Sequence, residues 1–372
     1  MRESSPKRFN TAGPCVPEKH YMLPSLPRLP GAENMTEGEM YFILHAPRQS
    51  GKTTVLDFLT DKINDSGTMY ALSCSMASLR TVKDEYHALA RIVSQLNDAM
   101  RSSGVRAISR KAFQYDSLSG MDAPNLMVKT LLNRLCLDLD KDLAVFFDEA
   151  DLLAGPGLLT FLAEIRDGYN SRHKPGNKFP RSLALVGMRD IRDYIASERP
   201  ESAGGRLASP YNIVAERMTL ANFTLEETGR LYRQHTEATR QVFEEAAIGR
   251  AWHWSEGQPW LVNALARQII EVRLENDYSA PVTAPLVDEA AESLIKRRDT
   301  HIDSLIERLT EPRVMKVMDA VFAGTKSPVP VNGDDRRYCQ DLGLVVKEAD
   351  ETLRPANKIY GEAMSRVITD QI

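Results

Sequence analysis

A chain of 372 residues with 42 % apolar content is long enough for two or three compact domains with real cores. Its 47 basic and 51 acidic side chains leave a formal charge of −4, which excludes a bulk attraction to nucleic acid or anionic lipid and leaves only local patches for such contacts. No run nears the roughly eighteen apolar residues of a membrane span. The start MRESSPKRFN lacks the apolar core of a secretion signal, so the expected location is the cytoplasm. Cys15, Cys74, Cys136 and Cys339 stand singly, without the spacing of a zinc site or a disulfide framework, and read as buried free thiols.

Residues 8–31, RFNTAGPCVPEKHYMLPSLPRLPG, are rich in proline and without helical or strand periodicity, so residues 1–36 are expected to run as an extended strap over another part of the protein. Tyr41 to Ala46 is a short apolar run with aromatic and β-branched members. The stretch VLDFLTDKI then places Val55, Leu56, Leu59 and Ile63 on one helical face, which predicts a strand, a loop and a helix. The connecting stretch HAPRQSGKTTV nearly spells the phosphate-binding pattern GxxxxGK[ST]. In that pattern backbone N–H groups and the helix N-terminus surround phosphates, the lysine reaches their terminal oxygens and the hydroxyl holds magnesium. The positions here are Ala46, Pro47, Arg48, Gln49, Ser50, Gly51, Lys52, Thr53 and Thr54. Alanine can stand first if the chain leaves the strand with negative φ, since only a left-handed turn requires glycine there.

MYALSCS, from Met69 to Ser75, reads as a buried strand, and two helices are predicted after it. One runs from about Thr81 to Ser103, with Tyr86, Leu89, Val93, Leu96 and Met100 along one side, and the other from Asn125 to Leu135. Leu143 to Glu149, LAVFFDE, is a continuous apolar strand ending in two carboxylates, and ligands bind at the carboxyl ends of parallel strands. Asp148 is the candidate metal residue, and Glu149 the candidate to orient or deprotonate an attacking water. Further strands are expected at Ser182 to Met188 and Glu216 to Phe223, which completes a five-stranded parallel sheet between helices.

The opening FNTAGPCVPEKHYMLP, the loop APRQSGKTT, the strand VFFDEAD, the segment FPRSLALVGMRDIRDY and the segment GQPWLVNALA together resemble the additional-strand P-loop ATPases of the AAA and STAND types. The likeness is strongest to the prokaryotic AAA-like ATP-binding proteins. It implies an α/β P-loop NTPase core over 37–222, a helical lid bundle over 223–300 and ATP or ADP with Mg2+ as ligands. It also implies that one strand separates the loop strand from the catalytic strand. By the same resemblance Arg189 takes the place of a γ-phosphate sensor, although a surface pair with Asp190 or Asp193 is an equal reading. Pro259 would touch the nucleotide phosphates or simply start a helix with Trp260 in the core, and Tyr21 would cover the adenine or pack as a tail on the sheet edge. Arg166, Arg172 and Arg206 are open choices for an arginine offered to a neighbouring copy in a homo-oligomer.

Thr224-Leu-Glu-Glu227 reads as a capping box, and Leu286 to Leu309 as one long charged helix serving as a strut. Residues 301–372 read as helix, helix, a two-stranded wing through Leu344 and Thr352, and a final helix, which is a winged-helix pattern. Glu311 to Ile372 carries nine Lys or Arg against ten Asp or Glu, and the second helix begins with Asp334 and Asp335. Protein contact is therefore favoured over DNA, which normally meets a basic footprint. Three functions remain open: a nucleotide-dependent switch with slow ATP hydrolysis acting on a separately encoded protein effector, a DNA-associated ATPase akin to the origin-recognition branch, or a non-enzymatic interaction module.

Overall fold

Apolar side chains collect into two separate cores, and the chain divides accordingly into a sheet unit, residues 29–46 and 52–220, and a helical unit, residues 1–28, 47–51 and 221–372. The computed structural model describes residues 6–24, 26–112, 126–188, 213–297, 300–323 and 332–370.

In the sheet unit the helix α1 (Ala32–Glu37) leads into β1 (Tyr41–His45), and α2 (Lys52–Ser66) into β2 (Tyr70–Ser75). Then follow α3 (Glu85–Ser102), the short α4 (Arg106–Ser109), α5 (Met127–Asp138), β3 (Leu143–Asp148), α6 (Gly155–Ser171), β4 (Ser182–Gly187) and β5 (Val214–Thr219). The five strands pair in parallel in the order β2-β3-β4-β1-β5, so β4 lies between the loop strand β1 and the acidic strand β3. Every residue of β3 and β4 is buried, as a strand covered on both faces requires. This is a P-loop NTPase-like α/β fold.

The fifth strand departs from the sequence expectation. It runs two residues earlier than the expected start at Glu216, ends at Thr219 and leaves Ala215, Glu216, Arg217 and Thr219 exposed, because it is an edge strand. Helix α3 also begins later than expected. Asp84 caps it by accepting from His87 N, and Tyr86 stays 37 % exposed while Leu89, Val93, Leu96 and Met100 are buried.

In the helical unit α7 (Leu225–Thr239) starts at the expected capping box, Thr224 with Glu227. It is followed by α8 (Glu245–Ser255), α9 (Pro259–Arg267, running on as a π turn over Gln268–Arg273) and α10 (Ala284–Arg297). Within the stretch from Leu286 to Leu309, expected as one helix, α10 is followed by α11 (Thr300–Ile306), and residues 298 and 299 between them lie outside the described residues. Ile302, Leu305 and Leu309 are buried and pack into the core of this unit. The chain ends with α12 (Pro312–Phe322), α13 (Gly333–Asp341), an antiparallel pair β6 (Val345–Lys347) and β7 (Leu353–Pro355), and α14 (Lys358–Asp370). The N-terminal segment packs into this unit through Phe9, Tyr21 and Leu23, and Thr11 O accepts from Trp260 Nε1 at 2.9 Å.

In the sheet unit Glu164 on α6 is 3 % exposed and its Oε2 accepts from Lys129 N at 2.7 Å, while Oε1 has no hydrogen-bond partner among the described residues. Burial lifts its carboxyl to about 7, against the lowering effect of the Val128 and Lys129 N–H groups. The folded protein therefore holds a proton that the unfolded chain releases between pH 4.5 and about 7, and stability falls as pH rises through that window. Glu164→Gln is expected to leave stability at pH 5 nearly unchanged and to raise it by about 2 kcal/mol at pH 8, measured by urea unfolding at the two pH values.

Candidate nucleotide-binding site

The site is built where β1 ends. Ala46 is fully buried, donates its N–H to Gly187 O at 3.1 Å and is not among the residues with positive φ, so alanine meets no steric objection at the first loop position. The left-handed turns fall later, at Gln49 (φ 58°) and Gly51 (φ 89°). At Gly51 the absent Cβ is what allows that angle. Ser50 Oγ donates to Pro47 O at 2.8 Å and tightens the tip.

Lys52 opens α2 and Thr54 follows, half-buried, in its first turn. Lys52 Nζ donates to Ala46 O at 2.6 Å, so the ammonium is folded back over the loop. Thr53 Oγ1 donates to Asp148 Oδ2 at 2.6 Å. The other Asp148 oxygen accepts from Glu149 N at 2.9 Å, and the carboxylate is 4 % exposed. Glu149 itself is left-handed (φ 56°), which turns its side chain away from the strand direction, and Ser75 Oγ at the end of β2 donates to Glu149 Oε2 at 3.1 Å. Gly187 ends β4, where a Cβ would come within 2.8 Å of Asp151 Oδ1.

Of the residues singled out from sequence, Lys52 and Thr53 open α2, and Asp148 and Glu149 stand at the carboxyl end of β3, all in the sheet unit, where the Thr53 to Asp148 bond joins the two places. Pro47, Arg48, Gln49, Ser50 and Gly51 group with the helical unit. Pro259 is the first residue of α9 and is buried, with Gln258 as the cap: Gln258 Oε1 accepts from Leu261 N at 2.7 Å. Tyr21 is 2 % exposed in the helical unit, its ring 4.9 Å from Phe9 and its hydroxyl 3.1 Å from His235 Nδ1. Arg172 lies over the Tyr169 ring at 3.6 Å and Arg166 is half-buried on α6. Arg189, Asp190, Asp193 and Arg206 lie outside the described residues.

Three residues of this neighbourhood were not legible as site residues: Ser75, Arg28 and Gln258. Arg28 Nη2 donates to Ser50 O at 2.8 Å and Gln258 Nε2 to Gln49 O at 3.2 Å. Ser75 had a faint signal, a hydroxyl at the carboxyl end of a predicted strand. The other two act on backbone carbonyls, which no side-chain pattern announces.

The residues present suit a nucleotide polyphosphate with a divalent cation. Among the described residues the N–H groups of Gln49, Ser50 and Gly51 have no hydrogen-bond partner, and a helix N-terminus follows at once. No cluster of three or more His, Cys, Asp or Glu among the described residues is placed to hold an ion alone, so Thr53 and Asp148 would need oxygens of the nucleotide and of water to complete a magnesium shell.

Comparison with known proteins bears on the domain and the fold. Residues 35–195 match the family model described as AAA domain. A Walker-type ATPase of Pyrococcus abyssi has a similar fold, with a TM-score of 0.61 at 15 % identity, over 96 % of this chain and 99 % of that one. The ORC2 protein of Aeropyrum pernix, in ADPNP and ADP complexes, is more distant, with a TM-score of 0.46 at 15 % identity over 91 % of both chains. The RuvB Holliday junction branch migration motor of Thermotoga maritima aligns at 0.43 and 13 % identity, over 89 % of this chain and 94 % of that one. No curated protein matches the sequence.

Gly257 precedes the Gln258 cap with φ 71°, and a Cβ there would stand 1.7 Å from Phe223 O. Gly257→Ala is expected to destabilise the helical unit by at least about 3 kcal/mol, seen as an early unfolding transition in a thermal melt.

Proposed function

We propose that this protein binds ATP with magnesium through Ala46–Thr54 and hydrolyses it slowly, as a nucleotide-dependent switch. The observation that carries the reading is found within the sheet unit, where Lys52 folds back onto Ala46 O, Thr53 donates to Asp148 and Ser75 donates to a second carboxylate, Glu149. In this reading the loop N–H groups and Lys52 hold the phosphates, and Thr53 with Asp148 holds the metal. Bound magnesium would neutralise charge on the phosphate oxygens and so favour departure of the leaving group. Glu149, held by Ser75, orients a water for attack and takes up its proton.

The AAA domain match over residues 35–195 supports ATP as the nucleotide. We further read α12, α13, the β6–β7 pair and α14 as a winged helix, on the order of its elements. With nine basic and ten acidic residues from Glu311 onward, this module suits a protein partner better than DNA. Retention of the full constellation of Lys52, Thr53, Asp148 and Glu149 argues against a purely structural module.

Lys52→Ala is expected to weaken binding of Mg-ATP at least about a hundredfold, as loss of a charge-assisted phosphate contact implies. Glu149→Gln is expected to keep binding and lower phosphate release by about a hundredfold or more. Both are checked by fluorescent-nucleotide titration beside a phosphate-release assay, with and without duplex DNA. Strong stimulation by DNA would favour the DNA-associated reading, and wild-type binding equal to that of Lys52→Ala would reject the site.

A further inference from the structure

The tip of the loop, Pro47–Gly51, packs with the helical unit, and two of its carbonyls are held there by side chains from distant parts of the sequence. Arg28 Nη2 holds Ser50 O at 2.8 Å, and Gln258 Nε2 holds Gln49 O at 3.2 Å. Both donors are fixed in turn. Arg28 is 5 % exposed, donates Nε to Ala221 O at 2.8 Å and lies 4.7 Å over the Phe223 ring. Gln258 is 7 % exposed, and its Oε1 caps α9.

Arg28 makes no ion pair among the described residues. Burial draws its guanidinium down to about 10, with Glu227 pulling the other way. Keeping a cation so enclosed is costly unless its donors are used, and here they are used on backbone carbonyls. Pro47 is enclosed from another side, since a Cβ on Gly343 would come within 2.6 Å of Pro47 Cβ.

A peptide unit is planar and trans, so its C=O and the next residue's N–H point in opposite directions. Drawing Ser50 O towards Arg28 therefore aims Gly51 N–H the other way, and drawing Gln49 O towards Gln258 does the same for Ser50 N–H. Neither N–H has a hydrogen-bond partner among the described residues. We propose that Arg28 and Gln258 are positioning residues that set two successive N–H groups of the phosphate cradle before nucleotide arrives. The inference rests on the reading of Ala46–Thr54 as a nucleotide site.

The test uses the full chain with Arg28→Lys, which keeps the charge but loses the fork, and Gln258→Glu, which keeps the α9 cap acceptor but loses the Nε2 donor. ADP affinity is measured by fluorescent-nucleotide displacement well below the melting temperature, and amide exchange is followed on peptides covering residues 46–54. Arg28→Lys is expected to weaken ADP binding about tenfold and Gln258→Glu severalfold, and in each variant bound ADP is expected to slow exchange of the loop less than it does in wild type. A purely structural role would lower the melting temperature and leave affinity unchanged. The proposal is overturned if both variants bind ADP within twofold of wild type with unchanged loop exchange. If wild type binds no nucleotide, the nucleotide reading fails. The positioning claim falls with it in that case, whereas binding by wild type and both variants alike overturns the positioning claim alone.

Discussion

The hydrogen bond from Thr53 Oγ1 to Asp148 Oδ2 is the interaction on which the rest of the site depends. It joins the first turn of α2 to the end of β3, although β4 separates β3 from the strand that leads into the loop. It forms only if β1, β4 and β3 end at the same level. The parallel registers supply that level by setting Leu44 beside Val186 and Phe147 beside Leu185. The continuous apolar runs of β3 and β4, buried on both faces, hold those registers.

Around that bond each polar group has a stated task. Asp148 is nearly enclosed, and a carboxylate in such a place is stable only with both oxygens occupied, which Thr53 and Glu149 N accomplish. The left-handed turn at Glu149 is strain of the kind that gathers at functional positions, and it hands the second carboxylate to Ser75. At the loop, strain falls on Gln49 and Gly51, where the backbone reverses ahead of α2. The sequence puts glycine at one of these positions and accepts the cost of a side chain at the other.

Much of the fold was legible because burial writes itself into strands as runs and into helices as stripes. Leu143–Asp148, Ser182–Gly187 and the stripe of Leu89, Val93, Leu96 and Met100 follow the pattern directly. Where the prediction slipped, a local rule was overridden. β5 is an edge strand whose side chains are mostly exposed, so its apolar signal is thin and its boundary shifted. Lys52, Thr53, Asp148 and Glu149 were singled out by residue type and spacing, and the bond from Thr53 to Asp148 joins two of them. Arg28 and Gln258 were not, because they recognise main-chain carbonyls 22 and 209 residues away.

The most direct measurement is isothermal titration of the purified chain with ATP in the presence and absence of Mg2+. The account predicts one site per chain whose affinity rises when magnesium is added, since Thr53 and Asp148 are placed to share the ion with the nucleotide. Absence of binding in both conditions would contradict it and leave the Ala46–Thr54 turn as a feature of the fold without a ligand.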